Sequence, residues 1–293
     1  MAEPDPPPRE RRKPRPRHAI VTGGASGIGR ELCRQLAALG WRVAVADRDG
    51  EAAQRVAEEL KADGNDAVAI GLDVANAEAW WLAVAKLRDR WTTLDLLINN
   101  AGVLQAGPLI QSKAEQLEEV VSTNLLGAVL GCQACGRWLE LTAMRFAPPP
   151  GSPRSGVINV ASVFGPLAPP GFAAYSASKA GLVALSESLR GELAPHGLNV
   201  TAALPGVVPT GIYDAASFAT RGSREACQRR VDSSQLTADQ TARAILQAAH
   251  AGKATAVIGG RARRFAAFKR LLPGLARRAI ARRAIAEMGL SSG

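Results

Sequence analysis

The sequence predicts an α/β fold: a single doubly wound parallel sheet of about seven strands with helices on both faces. Three observations predict it. Short apolar runs alternate with stretches whose apolar residues recur at helical spacing. The first apolar run ends in a glycine-rich turn that opens a helix. No break in composition between residues 19 and 260 marks a second domain, and 293 residues at 47% hydrophobic can bury a substantial core.

The first strand is Ala19-Ile20-Val21-Thr22, a run apolar on both faces as a buried parallel strand requires. Helical spacing follows from Arg30 to Leu39, where Gly40 stops it. The strand Arg42–Ala46 ends at Asp47, and a helix from Glu51 to Ala62 leads to the strand Ala67–Leu72. Next come a helix from Ala77 to Arg90, the strand Leu94–Asn99 and one long helix from Lys113 to Met144. The loop APPPGSPRSG reads as an exposed insertion before the strand Val157–Ala161. A helix from Ala174 to Leu193, a strand Asn199–Ala203, a long loop, a helix Ala238–Ala249 and a strand Thr255–Ile258 complete the pattern.

The formal net charge of +10 first points to nucleic acid or an anionic membrane. Its distribution redirects that reading. Residues 1–18 carry six basic and three acidic side chains, and 261–293 carry nine basic residues and Glu287 alone, which leaves the 242 residues between them at −1. The Pro-rich segment 1–18 reads as a disordered basic arm without the aromatics of a single-strand binder, so no nucleic-acid partner is expected. The chain has no apolar run of membrane-spanning length and no signal-peptide core, and four cysteines make no disulfide scaffold. A cytoplasmic protein is expected, and Cys132 and Cys135, a C-x-x-C inside a helix, read as buried or interface residues. His18, His196 and His250 lack ligand spacing, so no metal is expected. Trp80, Trp81 and Trp91 read as core caps around one helix.

The turn Thr22-Gly23-Gly24-Ala25-Ser26-Gly27-Ile28-Gly29 has the features of a phosphate-binding loop. Glycines let the backbone turn sharply and approach a pyrophosphate, while the helix N-terminus offers unpaired N–H groups. Asp47, 18 residues beyond Gly29 at the end of the second strand, is placed to accept hydrogen bonds from ribose hydroxyls and to repel a 2′-phosphate. The pattern is that of a Rossmann-type sheet binding NAD; Arg48 could favour NADP but reads as a surface residue, so NADP is the weaker choice.

Tyr175 and Lys179 lie four apart on one helix face, where the ammonium would lower the phenol from about 10 toward neutrality. Such a phenol can exchange a proton with an alcohol oxygen. Ser162, at the carboxyl end of the preceding strand, can hydrogen-bond the same oxygen. Asn99-Asn100-Ala101-Gly102 ends another strand on that edge, and Asn124 follows in the next helix.

With these motifs, and with Leu72-Asp73-Val74 and the segment PGVVPT at 205–210, the sequence resembles the short-chain dehydrogenase/reductase family over residues 19 to about 260. The resemblance implies a catalytic set of Asn124, Ser162, Tyr175 and Lys179, with Asn124 completing a proton relay. It implies a cofactor site of Thr22, Gly23, Ser26, Gly27, Ile28, Gly29, Asp47, Asp73, Val74, Asn100, Ala101, Gly102, Tyr175, Lys179, Pro205, Gly206, Val208 and Thr210. Hydride would pass between nicotinamide and a carbinol or carbonyl carbon, and a homodimer or homotetramer is implied. Among Ser162, Phe164, Phe172, Tyr175 and Tyr213, with Val163, Leu167, Ile212 and Phe218, the substrate rim is apolar with no charged anchor, which favours a lipophilic alcohol or ketone. Two readings compete with an NAD-dependent enzyme: an NADPH-dependent 3-oxoacyl-thioester reductase, and a non-catalytic nucleotide sensor.

Beyond residue 260, Phe265, Phe268, Leu272, Leu275, Ala279 and Ile280 fall near helical spacing among Arg and Lys, and Pro273-Gly274 divides the segment. Such a basic amphipathic tail fits an anionic membrane surface, or packing on the protein itself.

Overall fold

The computed structural model describes residues 15–146 and 155–288. Nine strands are described: β1 (His18–Thr22), β2 (Arg42–Asp47), β3 (Ala67–Gly71), β4 (Leu96–Asn99), β5 (Gln105–Ala106), β6 (Gly156–Val160), β7 (Asn199–Pro205), β8 (Ser217–Phe218) and β9 (Thr255–Ile258). Seven form one parallel sheet in the order β3-β2-β1-β4-β6-β7-β9; β5 and β8 form a separate two-stranded pair. Every strand expected from sequence is present, its ends shifted by at most two residues.

Helices cover both faces: α1 (Gly27–Ala38), α2 (Gly50–Ala62), α3 (Ala77–Arg88), α4 (Ala114–Val121), α5 (Gly127–Arg145), α6 (Phe164–Leu167), α7 (Ala173–Leu193), α8 (Arg221–Asp232), α9 (Ala238–His250), α10 (Gly260–Leu271) and α11 (Pro273–Met288). Alternate residues of each strand enter opposite cores, as the period-2 geometry of a strand dictates. Ala19, Val21, Val43 and Val45 pack with Leu32, Leu36, Val56 and Ile245 on one face. Ile20, Ala44, Ile70 and Leu97 pack with Trp80, Leu87 and Trp138 on the other. Trp80 and Trp91 are buried as expected, whereas Trp81 is 73% exposed because it lies on the outer side of α3.

The helix expected over Lys113–Met144 is interrupted. A π-helical turn at Ser122–Leu126 separates α4 from α5 and carries the buried Asn124. The sheet order reverses between β1 and β4, so their following loops diverge and leave a crevice at the carboxyl ends of the strands.

Residues 1–14, 147–154 and 289–293 lie outside the described residues, so most of the expected arm and insertion go undescribed. Residues 15–17, expected in the disordered arm, are placed. Arg15 donates two hydrogen bonds to Asp95, at 2.9 and 2.7 Å, and Arg17 lies over the Trp41 ring at 4.0 Å. Burial opposes ionisation of Asp95, but hydrogen bonds from Arg15 and the His18 N–H, with both arginine charges, hold its carboxyl below the usual range.

His18 beside this cluster is 4% exposed, with Nδ1 2.9 Å from Thr93 Oγ1. Burial pulls its pKa from 6.5 down to about 4, against the attraction of Asp95. The folded state therefore prefers the neutral ring. Stability present above the unfolded pKa of 6.5 is lost as pH falls through 4, by about 3 kcal/mol at about 1.4 kcal/mol per unit. The urea midpoint should fall between pH 7 and pH 4, and His18→Gln should flatten that fall; equal slopes in both proteins would refute the assignment.

The C-terminal segment breaks at Pro273 as its sequence predicts and packs on the body. Ala262, Ala276, Ala284 and Met288 are buried. Lys269 Nζ donates to the carbonyls of Pro166 and Leu167, and Arg230 pairs with Glu287 at 2.8 Å. Among the described residues, no helix is long and apolar enough to cross a membrane.

Candidate active site

Several helices carry a side-chain cap at the N-terminus: Asp49 accepts from the Ala52 N–H, Asn76 from Ala79 and Thr237 from Gln240. Helix α1 differs. Ser26 at its N-cap makes no side-chain cap bond, and the first turn holds no acidic residue, so its N–H groups and dipole stay available to an anion. The helix starts at Gly27, three residues earlier than its apolar spacing predicts, so Gly27 and Ile28 form its first turn.

Glycine is required here by space. A Cβ on Gly29 would lie 1.9 Å from the Gly23 carbonyl oxygen. Gly23 has φ +61° and no room beside Ala101. Beneath the turn, Thr22 Oγ1 accepts the N–H groups of Asn100 and Ala101 at 2.9 and 3.0 Å, and Asn100 Nδ2 donates to the carbonyls of Thr22 and Gly23. These bonds tie β1 to β4 and set the shape of the cradle.

A 410 Å³ cleft runs from this turn across the strand ends. Of the sequence-expected cofactor residues, Gly23, Ser26, Gly27, Ile28, Asp47, Asp73, Val74, Asn100, Ala101, Gly102, Tyr175, Lys179, Pro205, Gly206, Val208 and Thr210 line it. Thr22 and Gly29 do not; they build the turn from below, Thr22 being fully buried. Asp47 accepts the N–H groups of Ala25 and Asp49, both at 3.1 Å, which fixes its carboxylate at the cleft. Arg48 pairs with Glu119 at 3.3 Å, and both stand on the cleft lining. The uncapped helix end, the Cβ-excluding turn and the fixed carboxylate fit a dinucleotide.

At the other end, Tyr175 is buried beside Ser162, whose Oγ accepts the Phe164 N–H at 3.1 Å. Lys179 Nζ donates to the Val160 carbonyl at 2.9 Å and lies 5.9 Å from the Tyr175 ring centre. Burial raises Tyr175 to about 12, with only the neighbouring Ser162 opposing, and burial lowers Lys179 to about 8. The phenol lowering expected from Lys179 is therefore absent from the protein alone. Burial governs both groups, because each has left water.

Asn124 does not line the cleft. Its amide bonds the Val103 N–H at 2.8 Å, the Val103 carbonyl at 3.0 Å and Ser178 Oγ at 3.2 Å. Those bonds brace the loop beside Gly102 against α7, the helix bearing Tyr175 and Lys179. Asn99, Asn159 and Ser186 continue the bracing as a buried hydrogen-bonded chain from β4 through β6 to α7.

The expected substrate residues converge. Phe164 meets Phe172 and Tyr175 edge-on, at 4.8 and 6.4 Å between ring centres, and Tyr213 joins the same cluster. Val163 and Leu167 instead line a neighbouring cavity, and Phe218 pairs in β8 away from the cleft lining. One expectation fails: the rim does have a charged residue. Arg230 of α8 lines the cleft, 4.9 Å from the Phe172 ring centre and 5.7 Å from that of Phe164. Cys227 of α8 and Met288 of α11 complete the apolar wall. The capping Thr220, which accepts the Ser223 N–H, was the available sequence signal for α8 within a stretch that reads as loop.

The family model described as short chain dehydrogenase matches residues 17–219. A curated relative, the 3-oxoacyl-[acyl-carrier-protein] reductase of Staphylococcus aureus, is 37% identical over 68% of this chain and 77% of its own. The L-2,3-butanediol dehydrogenase of Corynebacterium glutamicum is 34% identical over 67% and 73%. Among solved structures, a short chain dehydrogenase/reductase from Burkholderia phymatum in complex with NAD superposes with a TM-score of 0.80, at 27% identity over 89% of this chain and 95% of that one.

Proposed function

The chain belongs to the short-chain dehydrogenase/reductase family, nicotinamide-dependent oxidoreductases of CH–OH and C=O groups, and from that premise we propose that it is an NAD-dependent dehydrogenase of lipophilic alcohols or ketones. The observation that carries this reading is that Ser162, Tyr175 and Lys179 line one end of a cleft whose other end is the uncapped α1 turn and Asp47. The nicotinamide cofactor, when bound, accepts or delivers the hydride. Tyr175 passes the proton to or from the substrate oxygen, and Ser162 holds and polarises that oxygen. Lys179 keeps a cation at the cleft, and Asn124 positions the Val103 loop and Ser178. The apolar wall of Phe164, Phe172 and Tyr213 excludes water from the reacting carbon. The test is alcohol-dependent reduction of NAD, followed by nicotinamide absorbance. A protein that binds NAD but neither oxidises alcohols nor reduces carbonyls would be the nucleotide sensor instead.

A second reading has a specific observation in its favour: the 37% identical relative is a 3-oxoacyl-[acyl-carrier-protein] reductase. Reduction of a 3-oxoacyl thioester with NADPH would replace the NAD reading. Asp47 counts against it, because its carboxylate would lie close to a 2′-phosphate.

The surface supports two further assignments. Val121, Leu126 and Val129 are exposed on α4, the π-turn and α5, an apolar face suited to a homodimer or homotetramer. Leu271, Leu272 and Leu275, at 76, 50 and 57% exposure, form an apolar corner between two basic helices suited to an anionic bilayer. Sedimentation reads both. The protein alone should run larger than a monomer, and it should pellet with phosphatidylglycerol vesicles but not phosphatidylcholine vesicles. Monomeric behaviour removes the first assignment; vesicle binding unchanged by Leu271→Ser with Leu275→Ser removes the second.

A further inference from the structure

The two C-terminal helices do more than cover the body: they wall a second, half-open cavity of 1270 Å³ that shares Phe164 with the cleft. This is large enough for a ligand of several hundred daltons. Its walls are apolar at Val163, Leu167, Phe265 and Ile280, which pack as one cluster, and Ala279 of α11 also faces it. The segment that walls it is held at the end of α10 by Lys269 on the Pro166 and Leu167 carbonyls and near the end of α11 by Arg230 on Glu287.

The charge on the cavity is one-sided. Arg261, Arg263 and Arg264 line it and, among the described residues, make no ion pair, while no carboxylate lines it. The nearby acid Glu287 is occupied by Arg230 at 2.8 Å and Arg283 at 2.6 Å. An apolar chamber with a cationic collar and no counter-charge complements a molecule that is aliphatic along its length and anionic at one end. The cavity also adjoins the catalytic cleft: Phe164, Gly206, Val207 and Arg230 line both.

We propose that this cavity is a substrate compartment for an amphipathic anion, a hydroxy or oxo acid with its carboxylate at the Arg261–Arg264 collar and its reacting carbon far along the chain, past Phe164. The proposal rests on the oxidoreductase reading only in taking the occupant to be the substrate. Its charge lies remote from the reacting carbon, unlike that of a 3-oxo acid.

The experiment is equilibrium binding of dodecanoate and of 1-dodecanol, each below its aggregation concentration, to NAD-loaded Tyr175→Phe protein. Using that variant makes the result independent of turnover, so failure of the oxidoreductase reading shows only in wild-type kinetics. Dodecanoate should bind one to one and about tenfold more tightly than dodecanol, the difference expected of a charge-assisted contact. Arg261→Ala with Arg264→Ala, both on the exposed surface of α10, should bring dodecanoate down to the level of dodecanol. Ala279→Trp, which fills the chamber, should weaken both ligands by about tenfold or more. An unchanged near-ultraviolet spectrum and NAD affinity establish that this variant is folded, and the arginine pair gives an independent reading if it is not. Absence of saturable binding, equal affinity for acid and alcohol, or indifference to both substitutions would each overturn the proposal.

Discussion

Tyr175→Phe is expected to lower kcat/KM for both alcohol oxidation and carbonyl reduction by about 10²–10⁴-fold, the usual scale for a positioned acid–base group. The ring would still pack edge-on against Phe164, so the protein should fold and bind NAD. What is lost is the hydroxyl beside Ser162. A variant with near wild-type turnover would end the assignment of Tyr175. The pH profile adds a second check. Burial holds the phenol near 12, so at neutral pH it retains its proton and suits carbonyl reduction, while oxidation should accelerate as pH rises. Burial also brings Lys179 to about 8, so its ammonium is present below that pH and lost above it. Carbonyl reduction should therefore fall through pH 8, and Lys179→Met should lose that limb.

Asp47→Ser is expected to shift the ratio of NAD to NADP affinity by about 10- to 100-fold toward NADP, since a charge-assisted hydrogen bond contributes about 1.5–3 kcal/mol. The carboxylate is held at the cleft by the Ala25 and Asp49 N–H groups, so its negative charge does not swing away from a 2′-phosphate. Arg48 is already engaged by Glu119, which limits its help to that phosphate in the wild-type protein. Isothermal titration with both dinucleotides measures the ratio directly. Wild-type preference for NADPH would reverse the cofactor assignment and favour the 3-oxoacyl reductase reading.

The central strands were legible because they are buried on both faces and therefore read as continuous apolar runs, as at Ala19–Val21. The turn at 22–29 was legible because a missing Cβ is a property of the residue itself, and Gly29 admits no substitute. The π-turn was not. Apolar spacing continues across Ser122–Leu126, and the widened turn is stabilised by bonds from Asn124 to Val103 and Ser178, residues distant in sequence. Helix α8 escaped for a similar reason: its buried face is three small residues, Ser223, Ala226 and Cys227, among charged ones. The protonation of Tyr175 and Lys179 also differed from expectation, because burial depends on everything packed around them and not on their spacing.

By itself, the sequence determined the parallel sheet, the glycine turn, the acidic end of β2 and the Ser–Tyr–Lys constellation, because these depend on local pattern and residue type. Only the tertiary structure decided where the basic C-terminal segment goes. There Glu287 meets Arg230, 57 positions away, and Met288 reaches the still more distant aromatic wall, contacts that no local periodicity encodes. From those contacts come the charged residue on the substrate rim and the arginine-collared cavity beside it.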